Sequence, residues 1–232
     1  MSQLWITRFL VLACTITPFT LFAQQSSHQA STQEITQAAS MRQHDAFFYA
    51  VRFNDLKKVQ AMVEQGFDLN AREASRGESA LMIAIREQSY DVFDYLIHHP
   101  KIHLDERANN GDTALMLAAY LEKVDWLSEL IFAGAQVNQA GWTALHYAAA
   151  AGDLQIVAVL LEHRADLNAL SPNHTTPLMM AARKGNVSVA ELLLKEGASL
   201  DAKNMQGMTA LDFAVESEKK EMQGFLQAWS RR

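Results

Sequence analysis

The amino-acid sequence predicts an all-α fold, a solenoid of about five to six stacked helix-turn-helix units joined by short β-turn fingers. Three observations carry that expectation. A motif of glycine, a hydroxyl residue, Ala and Leu returns at a period near 33 residues. Each copy reads as two short amphipathic helices, and no copy holds enough large apolar residues to close a core alone.

The copies run GESALMIAI from Gly77, GDTALMLAA from Gly111, GWTALHYAA from Gly141, HTTPLMMAA from His174 and GMTALDFAV from Gly207, at separations of 34, 30, 33 and 33 residues. Ser79, Thr113, Thr143, Thr176 and Thr209 stand where a side-chain oxygen can accept a backbone N–H of a first helical turn, which fixes the start of each first helix. Ala or Pro follows, and both suit that turn. Leu81, Leu115, Leu145, Leu178 and Leu211, with small residues such as Ala118, Ala119, Ala181 and Ala182, make one apolar face that a neighbouring helix can approach closely. Gly152 and Gly185 break this helix. A second apolar series follows, for example Ile156, Val157, Leu160 and Leu161, or Val189, Leu192, Leu193 and Leu194. Gly134 and Gly197 stop it, and AQVN, ADLNA and ASLDA lead into the next turn.

These units resemble ankyrin repeats, with the G-x-T-A/P-L-x-x-A-A pattern followed by L-L-x-x-G-A-D/S-L-N/D-A, over roughly residues 43–229. Upstream, DAFFYAVRFNDLKKVQAMVEQGFDLNA aligns on Gly66, Leu69 and Asn70 but carries Phe47 and Phe48 in place of the capping motif, as an amino-terminal cap unit over 43–76 would. The last unit, 207–232, ends in the polar EKKEMQGFLQAWSRR and reads as the closing cap that an array needs for solubility.

The spacing has one conspicuous departure. AQVNQAGWTAL lacks three residues that ADLNALSPNHTTPL has, so one finger is blunted and Trp142 sits on its stub. Additional residues near HHPKIHLDE and before Gly77 fall in loops, where solenoid insertions collect. Trp126 occupies an aliphatic position of a second helix and is expected to fill the gap that the altered spacing leaves.

Chemistry is sparse in this sequence. It contains no G-x-S-x-G, no H-E-x-x-H, no phosphate-cradling glycine loop and no EF-hand loop, and an enzyme is not expected. His98, His99 and His103 lie close together but without regular ligand spacing, so no metal or other cofactor is assigned to them. The resemblance implies a structural role for His146, tying adjacent turns together. A formal net charge of −6 argues against a phosphate-tracking surface, and nucleic acid is set aside as a partner.

The first segment has one basic residue, Arg8, then an apolar run from Phe9 to Ala23 that falls short of the about 20 residues a spanning helix needs. It reads as a secretory signal over 1–23 with cleavage after Ala23; an uncleaved anchor is the alternative. The only cysteine, Cys14, lies inside it, so the exported chain has no disulfide, thiol nucleophile or Cys-based zinc site. Residues 24–42 are polar and read as a flexible tether with a frayed helix near Ile35.

The resemblance also implies where a partner sits: across the finger tips and the exposed ends of the first helices. The partner-binding residues it assigns are Phe53, Arg86, Asp112, Tyr120, Leu121, Trp142 and Arg183. Tyr120, Leu121 and Trp142 come from adjacent units, and Ala150 and Ala151 beside them leave a shallow floor. That grouping is either an aromatic hot spot with a charged rim or local packing in which Trp142 folds over Tyr120. The expectation is an exported, monomeric protein-binding module, periplasmic or secreted, acting as accessory or protective partner of another exported protein. The alternatives are an immunity-type inhibitor of a toxin and an effector of host proteins.

Overall fold

The computed structural model describes residues 37–231; the expected signal segment and residues 24–36 of the tether lie outside the described residues. Two compact units divide between His44 and Asp45. In the first, residues 37–44 are helical, so residues 37–42 of the expected tether are helix. The second, Asp45–Arg232, carries the repeats.

Its helices pair along the chain. In this unit helix α1 covers 45–52, followed by α2 (Leu56–Glu64), α3 (Ala80–Glu87), α4 (Tyr90–Ile97), α5 (Ala114–Tyr120) and α6 (Val124–Phe132). Then come α7 (Ala144–Ala151), α8 (Leu154–Glu162), α9 (Pro177–Lys184), α10 (Val187–Lys195), α11 (Ala210–Glu216) and α12 (Lys220–Trp229). Among the described residues the β structure is a single antiparallel bridge, Arg72 to Ser79, at the base of the first finger. The fold is the all-α repeat solenoid that the sequence predicts.

Each odd-numbered helix from α3 onward starts at the expected hydroxyl. Ser79 Oγ accepts the N–H of Met82 at 3.4 Å, Thr113 that of Met116 at 3.4 Å, Thr176 that of Met179 at 3.3 Å and Thr209 that of Asp212 at 3.3 Å. In α7 the cap is reciprocal, because the imidazole Nδ1 of His146 accepts the Thr143 N–H at 3.1 Å.

The alanines behave as spacers. Ala84, Ala118, Ala119, Ala148, Ala149, Ala181 and Ala182 are fully buried, so consecutive first helices come close and enclose Leu81, Leu115, Leu145 and Leu178. Burying a Leu side chain of this kind contributes about 1.5–3 kcal/mol, which only the stacked neighbour makes possible. The even-numbered helices close the other side of the core with residues such as Val92, Phe93, Leu127, Leu130, Ile156, Val157, Val189 and Leu193. Trp126 is buried as expected: its ring stacks on Phe93 at 4.6 Å, and Tyr90 meets it edge-on at 4.9 Å.

A polar ladder joins the units. The side-chain oxygens of Asn70, Asp105, Asn138 and Asn168 accept N–H groups one unit further on, from His103 (2.8 Å), Gln136 (3.0 Å), Asp166 (2.8 Å) and Ser199 (2.8 Å). His146, fully buried, extends this linkage on the core side: its Nε2 donates to the Thr175 carbonyl of the following unit at 2.9 Å. Each bond registers one repeat against the next, which apolar packing alone does not do.

The turn between paired helices differs from expectation in its residues. Gly152 and Gly185 take the left-handed conformation at φ 94° and 82°, but Asn54, Gln88, Glu122 and Glu218 hold the equivalent positions at φ between 55° and 59°. These side chains accept a backbone that glycine adopts without strain. Gly152 is required for a second reason, since a Cβ there would meet the Asn186 amide carbon at 2.9 Å.

Candidate partner-binding face

An ordinary finger is held by Arg72, whose guanidinium donates to the Gly77 carbonyl at 2.9 Å and to the Asn109 side chain at 2.8 Å. Arg107 repeats the device one unit later, donating to the Gly111 carbonyl at 2.8 Å and to Gln139 Oε1 at 2.6 Å. Gln139 in turn donates to Asp105 at 2.9 Å. The shortened 139–141 turn is therefore pinned to the preceding unit.

Three rings lie near this turn. Tyr120, at the end of α5, is 57% exposed. Its ring lies 6.1 Å from Tyr147 on α7, edge to face. Trp142, partly buried on the stub, lies 6.4 Å from Tyr147 and 5.2 Å from the buried His146 ring. Tyr147 thus joins the two expected anchors, while Tyr120 keeps most of its surface. The Tyr147 hydroxyl donates to Asp112 Oδ1 across the unit boundary. Burial, then the hydrogen bond and charge of Asp112, push the Tyr147 phenol well above its ordinary value, so it remains a neutral donor.

The remaining expected binding residues divide. Phe53 is 65% exposed, and its ring lies 4.4 Å from that of exposed Tyr49, tilted by 33°. Arg183 is exposed at the end of α9. Asp112 is half-buried and engaged by Tyr147, and Leu121 packs partly into the core. Arg86 is committed to a neighbour: its guanidinium pairs with buried Glu78, whose side chain also lies 3.9 Å from Arg76. Tyr120, Trp142 and Asp112 are brought together around Tyr147, while Phe53 and Arg86 belong to a separate region at the cap.

Tyr147 is the residue sequence reasoning missed. Its repeat equivalents are Ile83, Leu117, Met180 and Phe213, so it reads as packing; the one available signal was an aromatic with a hydroxyl directly behind a shortened finger. A separate apolar feature lies at the ends of the second helices, where Phe132 is 95% exposed beside a cleft of about 540 Å³ with Ile97, His98 and His163. The histidine group does not converge: His98 bonds the Asp94 carbonyl at 2.8 Å and His103 bonds Glu106 at 3.0 Å. No helix among the described residues is long and apolar enough to cross a membrane.

A family model described as ankyrin repeats (three copies) matches residues 16–108, 100–171 and 165–227. Neurogenic locus notch homolog protein 2 of Homo sapiens is 33% identical over 153 residues, covering 62% of this chain and 6% of the relative. Neurogenic locus notch homolog protein 1 of Xenopus tropicalis is 33% identical over 139 residues, covering 59% and 6%. The chain therefore spans only a small fraction of those relatives. Among solved structures, a chain of the complex described as the Bd0816 predatory endopeptidase from Bdellovibrio bacteriovorus with immunity protein Bd3460 superposes with a TM-score of 0.67. It is 32% identical, and the match covers 79% of this chain and 97% of that one.

Proposed function

The chain belongs to the ankyrin-repeat family, and from that premise we infer that it is a protective binding partner, an immunity-type inhibitor of an exported endopeptidase. The observation that carries this reading is the match along 97% of a chain in a complex of an endopeptidase with its immunity protein. An all-helical repeat chain in such a pair is read as the immunity member. The exposed Tyr120 and Arg183, with Trp142 and Tyr147 between them, supply the aromatic centre and charged rim of a binding surface. The absence of catalytic motifs in the sequence agrees with binding, and the apolar run from Phe9 to Ala23 supports export to the periplasm, where such a peptidase would be met.

Inhibition by a repeat surface needs no chemistry from the inhibitor. It needs a rigid face that covers a substrate cleft, and the inter-unit ladder supplies that rigidity before binding, which lowers the ordering cost of association. The test is affinity capture from a cell-envelope extract with the tagged exported chain, followed by a peptidase assay on what is captured. The expected result is an endopeptidase whose activity falls to background at one equivalent of this protein. A captured partner without peptidase activity, or one whose activity is unchanged, overturns the reading.

A further inference from the structure

We propose that the cap end of the same face holds a second anchor: a seat for a carboxylate side chain of the bound protein, formed by Arg52 and Arg76, with the Tyr49–Phe53 ring pair beside it. This rests on the protein-binding reading above, though not on the partner being a peptidase.

A cleft of about 190 Å³ lies between the end of α1, the first finger and α3, and its lining includes Arg52, Arg76, Arg86, Glu73 and Glu78. The two carboxylates are each only 7% exposed, and both are already committed. Glu73 accepts the Ser75 N–H at 3.0 Å, the Ser75 hydroxyl at 2.8 Å and the Arg76 N–H. Glu78 accepts from the Arg86 guanidinium. Arg52 reaches Glu73, and Arg76 reaches Glu78, only at 3.9 Å, beyond hydrogen-bonding range.

The arginines therefore have different roles. Arg86 and Glu78 form a neutral unit that floors the cleft. Arg52 and Arg76, with side chains 44% and 64% exposed, stand at its mouth with their forked donors unspent on the buried acids. Glu73 sets one buried charge against these two cations, and it is saturated by loop donors. Glu87 also lines the cleft, exposed at the end of α3 and screened by solvent as the two arginines are, and it forms no ion pair with either of them. The group the mouth lacks is an acceptor with two oxygens, and a carboxylate matches a guanidinium fork in that geometry. A lysine or arginine of the partner would be repelled.

Tyr49, Arg52 and Phe53 follow one another at i, i+3 and i+4, so they share one side of the chain. The two rings lie 4.4 Å apart, tilted by 33°, and both remain largely exposed, with Lys58 Nζ 5.9 Å from the Tyr49 centroid. Exposed aromatics beside unspent guanidiniums are the composition of an interface hot spot, and they fit an acidic residue with an apolar neighbour.

The test is an NMR titration of the full chain, labelled with ¹⁵N in its arginines, using acetyl-Asp-Phe-amide, acetyl-Asn-Phe-amide and inorganic phosphate as probes. The expected result is a saturable shift of the Arg52 and Arg76 Nε–H signals with the acidic peptide only. It should vanish in an Arg52→Ala, Arg76→Ala variant whose melting is unchanged, and that variant should bind the captured partner about tenfold more weakly. No saturable shift, an equal shift with the Asn peptide or phosphate, or an equal shift at Arg183 overturns the proposal. Because the titration contains no peptidase, its outcome is independent of whether the captured protein is one.

Discussion

Glu73 offers the most exposing test of how the first finger is held. Burial alone would push its carboxyl up, but the N–H and hydroxyl of Ser75 and the backbone of Arg76 and Glu78 outweigh that and hold it at about 2 instead of 4.5. A difference of that size makes the anion about 3 kcal/mol more stable in the fold than in the open chain. In Glu73→Gln one acceptor oxygen becomes an NH₂ facing N–H donors, and the predicted loss at pH 7 is about 2–3 kcal/mol. With a urea dependence of about 2 kcal/mol per molar, the unfolding midpoint should fall by about 1–1.5 M. The sign with pH is fixed. A depressed carboxyl stabilises the fold fully above its unfolded value of 4.5, and that contribution drains away as the pH falls through about 2. Urea unfolding followed by circular dichroism from pH 7 down to pH 2.5 should therefore show the gap between parent and variant narrowing. A gap under about 1 kcal/mol at pH 7, or one that stays constant with pH, would refute the reasoning.

Other parts of the account are open to the same treatment. His146→Leu should cost about 2–4 kcal/mol by thermal denaturation, because it strands the Thr143 N–H and the Thr175 carbonyl in the core. Burial lowers the His146 pKa below 6.5, so the parent should lose stability as the pH falls below that value, and the Leu variant should lack this component. Trp126→Ala should cost about 3–5 kcal/mol in chemical unfolding, since it opens a cavity between Phe93 and Tyr90. Glu122→Gly, at φ 57° in a turn, should raise stability by about 0.5–1 kcal/mol; a loss would show that the side chain has a role beyond the turn.

The repeat register was legible because it rests on local chemistry: a hydroxyl cap, an apolar stripe and a glycine stop return at fixed spacing, and each acts within a few residues of itself. The blunted finger and buried Trp126 followed from the same counting. What escaped were side-chain contacts that the repeat pattern does not pair, eight residues apart for Arg86 and Glu78 and 35 apart for Tyr147 and Asp112. Arg86 looks like a solvent-facing rim residue until Glu78 is placed under it, and Tyr147 looks like core until Asp112 takes its hydroxyl. The left-handed turns at Gln88 and Glu122 were hidden because neither residue advertises that conformation, and the stacked neighbours impose it.

The most direct test of the central claim compares the captured partner's affinity for three chains: the parent, a Tyr120→Ala, Trp142→Ala variant and a Phe132→Ser variant, each verified as folded by circular dichroism. The account predicts that the aromatic pair costs about 2–4 kcal/mol of binding, a loss of about 30-fold or more, while Phe132→Ser, on the ends of the second helices, leaves affinity unchanged. Undiminished binding by the aromatic variant, or a loss confined to Phe132→Ser, would contradict it and move the partner to the opposite side of the array.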